Sequence, residues 1–372
     1  MVALARDARV LVVRLGGIRD VIMVGPAVRA LRNRCPAAWI GLWVSAAGQA
    51  VARCLPGVDE ILVGTESRIE GADGAAAAED AQAALAAREF AAAFICTNAG
   101  ETPYGSAFAA YAAGIPVRVG QSGEFGGALL TEWVRPFPDE GHPVDRNLHL
   151  FAQAGIPSGS REVRLTVAAA AHWRIRALLC NSGVQGPFVA VAPGGTCEAR
   201  RYRVESYVRV LRLLRAQGLA AVVVGGAGDS ALGTFLAAAV PGTVSLCGRL
   251  AFPEIVALLG RAGAFLGQNT GLMYVAYALS RPMVVLYAGT ECPPQWLCRA
   301  SQVTLLARAV PCVPCYGLTC ARGQACLAID AVEVAAAVMA RTEGLRRPVR
   351  THLRRVPASG GVFCASRHRL GE

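Results

Sequence analysis

Short apolar runs rich in valine alternate with stretches of helical period along nearly the whole chain, and this alternation restricts the fold more than any other feature. In the first half it predicts strands over Val10–Val13, Trp39–Val44, Glu60–Val63 and Ala92–Cys96, with helices over Val21–Arg34, Gly48–Cys54 and Glu79–Ala87. The second half repeats the rhythm. Strands are expected over Phe188–Val191, Ala220–Val224, Ala264–Leu266 and Met283–Tyr287, and helices over Val204–Ala216, Asp229–Ala239, Phe252–Gly260 and Leu272–Leu279. Runs buried on both faces and joined by helices build parallel sheets with right-handed crossovers. Two such series predict an α/β chain of two Rossmann-like domains facing a cleft, with ligands at the carboxyl ends of the strands. The expected limits are 1–165 and 166–345, with the division within Gly155–Gly186. A loop insert over 311–326 breaks the pattern, a helix over Ala331–Ala340 closes it, and 346–372 form a basic tail.

The 372 residues leave room for two cores. Arginine, glycine or proline interrupts each apolar run well short of the ~18 residues of a membrane span. The opening MVALARDARVLVVRL reads as a first strand and not as a signal peptide, which places the chain in the cytoplasm. The thirteen cysteines then start as reduced thiols. The net charge of +11 comes entirely from arginine, since the chain has no lysine. The tail carries seven arginines against one acid, which suits either a solvated terminus or contact with an anionic membrane surface. Charge is the one argument for nucleic acid, and none is expected as a partner.

Four strand-to-helix junctions carry the candidate chemistry. Arg14-Leu15-Gly16-Gly17-Ile18-Arg19-Asp20 ends in a carboxylate that is either a general base facing the cleft or an N-terminal helix cap. Ala192-Pro193-Gly194-Gly195-Thr196, followed by Arg200 and Arg201, is a phosphate clamp or a turn leading into a basic face. Val224-Gly225-Gly226-Ala227-Gly228-Asp229 matches part of a dinucleotide fingerprint, but the acid expected about 20 residues on is missing. A nicotinamide- or flavin-dependent oxidoreductase rests on that match alone, and Asp229 itself could meet a ribose. In Gly267-Gln268-Asn269-Thr270-Gly271, a polar turn joins a buried strand to a helix. That is an ordinary cap, or an anion site made of unpaired backbone N–H groups.

Taken in order, these segments resemble the bacterial heptosyltransferases, the ADP-heptose-dependent glycosyltransferases of family 9. The resemblance rests on "RVLVVRLGGIRDVIMVGPAVRALR", "APGGT…ARRY", "VVVGGAGD", "LCGRLAFPEIVALLGRAGAFLGQNTGLMYVAYAL", "PMVVLYAGT" and "CVPCYGLTCARGQACLAID", and covers roughly Ala8 to Ala340. It implies the GT-B fold, with the acceptor on the first domain and the nucleotide on the second. It further implies inverting transfer of a heptose or related sugar from an ADP-sugar to a hydroxyl of a lipopolysaccharide core or another glycan or protein, with no cofactor in the chemistry. Asp20 takes the place of the catalytic base. Thr196, Arg200, Asp229, Leu250, Asn269, Thr270, Gly271 and Tyr274 take those of the donor-binding residues. An anionic glycolipid acceptor, met at the inner membrane face, is the expected partner, and His142, Asp145 and Arg146 in "GHPVDRN" line its side or cap a helix.

The chain departs from the family at several of these places. Asn269 stands where aspartate is usual, Tyr274 where histidine is, Arg200 for a lysine, Arg19 for a glycine, and Gly16-Gly17 for two serines. A degenerate member that binds nucleotide or glycan without transfer is therefore the alternative reading. Cys312, Cys315, Cys320 and Cys326 form C-x2-C-x4-C-x5-C. Four thiolates so close suit a structural zinc or iron ion, and cysteine sets that bind iron occur in the branch of the family that glycosylates autotransporters. The other reading is a group of reduced thiols packing a loop.

Overall fold

The computed structural model describes residues 2–64, 82–291, 298–299 and 302–343. Among the described residues twelve strands form two six-stranded, fully parallel sheets. The first holds β1 (Arg9–Arg14), β2 (Trp39–Val44), β3 (Glu60–Val63), β4 (Ala92–Ile95), β5 (Val117–Gln121) and β6 (Glu132–Val134), in the order β3-β2-β1-β4-β5-β6. The second holds β7 (Phe188–Ala192), β8 (Ala220–Val223), β9 (Thr243–Ser245), β10 (Ala264–Gln268), β11 (Met283–Leu286) and β12 (Val303–Leu306). Its order, β9-β8-β7-β10-β11-β12, repeats that of the first sheet. Each sheet thus reverses direction once, between β1 and β4 and between β7 and β10, and opens a crevice there.

The helices lying wholly within the described residues are α1 (Ile18–Arg34), α2 (Ala46–Ala52), α3 (Tyr104–Ala112), α4 (Pro143–Gln153), α5 (Ala169–Asn181), α6 (Val204–Ala216), α7 (Ser230–Ala239), α8 (Phe252–Arg261), α9 (Gly271–Ala278) and α10 (Ala331–Thr342). They cover both faces of the sheets, so Val10, Leu11, Val12 and Val13 of β1 are all buried despite pointing alternately to opposite sides. Each such side chain contributes about 1.5–3 kcal/mol of transfer free energy. Pro26 sits inside α1 and withdraws one N–H from its ladder. Asn147 of α4 donates to the nearby Met23 carbonyl at 3.0 Å, tying α4 to α1 at that point.

Between α4, packed on α1, and α5, packed on α8, the chain passes from the first sheet's helices to the second's. α1 also packs against α9, and the largest apolar cluster runs from Val10 of β1 to Tyr287 just beyond β11. Sequence periodicity does not anticipate β5, β6, β9, β12 or α3–α5. β6 and β9 are three-residue edge strands, too short to show a period. The expected helix over 79–87 falls partly outside the described residues, which are helical over 82–86. The basic tail lies outside them altogether. Among the described residues no helix is long and apolar enough to cross a membrane.

Candidate active site

Both crevices open toward the same cleft, and the polar residues at the strand ends meet there. Arg14 ends β1 and is only 2% exposed. Three anionic or carbonyl partners satisfy its guanidinium: Asp20 Oδ1 at 3.0 Å, Glu101 Oε2 at 3.1 Å and the Cys96 carbonyl at 3.0 Å. Such pairing is what a buried charge requires. Asp20, in the first turn of α1, is itself buried. Its Oδ2 accepts from the Gly17 N–H at 3.0 Å. Its Oδ1 accepts from Asn98 Nδ2 at 3.2 Å and pairs with Arg19 Nε at 3.4 Å. Burial alone would raise the carboxyl pKa. The Arg14 and Arg19 guanidiniums, then the Asn98 and Gly17 hydrogen bonds, outweigh it and hold Asp20 below the ordinary carboxylate range. Gly16 is obligatory beside it, because a Cβ there would stand 2.6 Å from Asp20.

The second sheet contributes hydrogen-bond donors. Arg200, in the short helix Glu198–Arg200, donates from Nε to Thr290 Oγ1 at 2.8 Å and from Nη1 to the Asn269 carbonyl at 3.4 Å. Its Nη2 pairs with Glu291 Oε1 at 2.8 Å. Asn269 follows β10; its Oδ1 accepts from the Ala288 N–H at 3.3 Å and its Nδ2 donates to Glu291 Oε2 at 3.4 Å. An aspartate at 269 would set two carboxylates against each other, and the amide avoids this. Thr270 is the N-cap of α9 and makes no side-chain cap bond, so the helix's first N–H groups face the cleft at Gly271. Tyr274, one turn on, is buried, which pushes its hydroxyl pKa well above the usual value.

These groups surround one cavity of ≈430 Å³, whose walls include Asp20, Thr196, Arg200, Asn269, Tyr274 and Glu291. A second cavity of ≈370 Å³ shares Ile18, Thr196, Thr270 and Gly271 with it. Gly194, Gly226, Asp229, Phe252 and Ile255 line its far end, a mostly apolar slot with a carboxylate at one side. Asp229 accepts the Gly226 N–H at 3.0 Å, and its side chain fills the space where a Cβ on Gly194 or Gly225 would fall. Those glycines therefore make room for Asp229 as well as for any ligand.

Leu250 packs on the larger apolar cluster, and Phe252, at the start of α8, lines the second cavity. The four cysteines are not gathered: among the described residues no group of three or more His, Cys, Asp or Glu side chains is placed to hold a metal ion. Their sulfurs serve the loop instead. Cys320 Sγ accepts from Gln324 N at 3.3 Å, Cys326 Sγ accepts from Gly289 N at 3.5 Å, and Cys315 is exposed. So spaced, the four sulfurs do not converge on a point that a zinc or iron ion could occupy, and no step of the chemistry is assigned to one.

His142 caps α4 through Nδ1, which accepts from Val144 N at 3.3 Å, while Asp145 and Arg146 pair with Arg161 and Asp139. His142 and Asp145 stand apart from the Asp20 group, whereas Arg146 lines a neighbouring cavity with Asn98 and Glu101, the partners of Asp20 and Arg14. Sequence reading missed Arg14, Asn98, Thr290 and Glu291. A charged residue closing a buried run, as in "VLVVR", and an acid shortly after one, as in "VVLYAGTE", are the signals that could have found two of them.

The chain matches the family model "Glycosyltransferase family 9 (heptosyltransferase)" over residues 86–325. It is 24% identical over 155 residues to lipopolysaccharide heptosyltransferase 3 of Escherichia coli, a match covering 41% of this chain and 46% of that one. With lipopolysaccharide heptosyltransferase 2 of Escherichia coli K12 it shares 26% identity over 297 residues, covering 75% and 82%. Among solved structures, a family 9 glycosyl transferase from Veillonella parvula superposes with a TM-score of 0.77 at 16% identity, covering 91% of this chain and 99% of that one. The ADP-heptose lipopolysaccharide heptosyltransferase II of E. coli gives 0.72 at 20% identity, covering 90% and 98%. The two parallel sheets facing one cleft are thus the GT-B arrangement, and the chain belongs to glycosyltransferase family 9, the heptosyltransferase family.

Proposed function

We propose that the protein transfers a heptose or a related sugar from an ADP-sugar to a hydroxyl of a lipopolysaccharide-core or other anionic glycan acceptor, with inversion. One observation carries this reading: a carboxylate from the first sheet, Asp20, and the anion-binding groups of the second, Arg200 and the Asn269–Gly271 turn, share one cavity. That cavity continues into an apolar slot suited to a purine, with Asp229 placed for a ribose hydroxyl.

In this mechanism Asp20 is the general base. Its Oδ1 already accepts from Arg14, Arg19 and Asn98, whereas Oδ2 accepts, among the described residues, from Gly17 alone. Oδ2 therefore keeps a lone pair for the acceptor hydroxyl. As that oxygen attacks the anomeric carbon, the bond to the diphosphate breaks on the opposite face. Negative charge grows on the leaving oxygen, where Thr196, Arg200 and the N–H groups at the start of α9 stabilise it.

Calorimetric titration with ADP, and with UDP and GDP as controls, tests the donor half of this reading. Selective ADP binding followed by turnover of ADP-heptose is expected; binding of none of the three would sink it. One observation favours the alternative, a binder without transfer: two arginines hold Asp20 below the usual carboxylate range, which weakens its pull on a proton. ADP binding with no turnover against any glycan acceptor would favour that alternative.

A further inference from the structure

Glu291 lies just beyond the end of β11, in the wall of the cavity that holds Asp20, and its carboxylate joins the two halves of the cleft. Oε1 accepts from Arg19 Nη1 at 3.0 Å, on α1, and from Arg200 Nη2 at 2.8 Å, on the second half. Oε2 meets Asn269 Nδ2 at 3.4 Å, one residue before the N-cap of α9. The groups around it are those of an anion site: two guanidiniums, an amide, and a helix start whose cap makes no side-chain bond.

Resting on the donor reading above, we propose that Glu291 is the cleft's own counter-anion, competing with the donor's diphosphate for Arg200 and Arg19. The geometry allows an exchange without loosening either arginine. Arg200 stays anchored by Nε on Thr290 and by Nη1 on the Asn269 carbonyl while Nη2 changes partner. Arg19 stays anchored by Nε on Asp20 while Nη1 changes partner. A diphosphate seated at the start of α9 would stand against the Glu291 carboxylate, and like charges in so small a space do not coexist cheaply. One yields. The exchange passes Arg19, and with it the residue next to Asp20, from a protein carboxylate to the donor, so that donor binding and the acceptor-side carboxylate are coupled through one guanidinium. The diphosphate keeps a net advantage because it also takes the α9 N–H groups, which Glu291 does not use.

Calorimetry on the full chain with inorganic pyrophosphate, and with ADP in parallel, tests this in the wild type, Glu291→Gln and Glu291→Asp. Pyrophosphate should bind Glu291→Gln about tenfold more tightly than the wild type, because the competing charge is gone while the side-chain shape remains. Glu291→Asp, which keeps the charge, should bind it as the wild type does. Equal or weaker binding to Glu291→Gln overturns the proposal. So does a gain shared by both variants, which would trace to loosened packing. Because pyrophosphate carries no base, the two readings fail separately. Loss of ADP selectivity with the pyrophosphate gain intact sinks the ADP assignment alone; ADP selectivity without the gain sinks the role of Glu291 alone.

Discussion

Two turns of this molecule carry the same pattern, G-G-x-x-D: Gly16 to Asp20 after β1, and Gly225 to Asp229 after β8. They fold alike. In each, the aspartate Oδ2 accepts from the N–H of the second glycine at 3.0 Å, and in each the first glycine is forced, since a Cβ would approach the carboxylate side chain to 2.6 or 2.5 Å. Yet Asp20 is buried against Arg14, Arg19 and Asn98, whereas Asp229 is half-buried at the edge of an apolar slot. The local chain dictates the turn; what the carboxylate then does depends on strand ends that are distant in sequence. Held as an anion in the cavity it shares with Arg200 and the start of α9, Asp20 is placed for the proton transfer proposed above. Asp229, at the far end of the cleft, suits a neutral hydroxyl.

Five variants sharpen or break that contrast. The largest effect is expected from Asp20→Asn, which should lower transfer by about 10²–10⁴-fold, read as turnover of ADP-heptose. Retained turnover would refute its role as base. Next, Gly16→Ala and Gly225→Ala both force a clash, costing about 1–3 kcal/mol each in chemical denaturation. The losses should differ in kind, in transfer for the first and in ADP affinity for the second. Asp229→Asn should weaken ADP by a few-fold, consistent with about 1 kcal/mol for one hydrogen bond. The smallest effect is expected from Arg19→Met. Removing one of the charges that depress the Asp20 pKa shifts it upward, so the acid limb of kcat/KM moves to higher pH. Stability follows the same sign. The Asp20 contribution is present above its unfolded pKa and is lost as pH falls through the lower folded one, and Arg19→Met narrows that window.

Legibility in the sequence follows the same division between local and distant causes. β2 and β3 have the bounds their apolar runs predict, and α6 runs from Val204 to Ala216 as its period predicts. Parallel strands buried on both faces leave a continuous apolar signal. Edge strands such as β9 leave little, because all three residues are half-buried. Within the site, the residues at strand-to-helix turns (Asp20, Thr196, Arg200 and Asn269 to Gly271) stand together in one cavity. Arg14 and Glu291 leave a local trace as charges at or after a buried run, but their roles, like that of Asn98, come from partners distant in sequence. The Cys312–Cys326 spacing left two readings open for the complementary reason. Proximity in sequence suggested a shared ion, but the loop turns the Cys320 and Cys326 sulfurs toward separate backbone amides.

The most direct test of the contrast between the two turns is ADP titration of Asp20→Asn and Asp229→Asn beside the wild type, in one buffer and by one calorimetric protocol. ADP affinity should be within about twofold of wild type for Asp20→Asn and reduced for Asp229→Asn, on the scale of one hydrogen bond. Weakened binding in Asp20→Asn with wild-type binding in Asp229→Asn would place the nucleotide on the other half of the cleft and contradict the account.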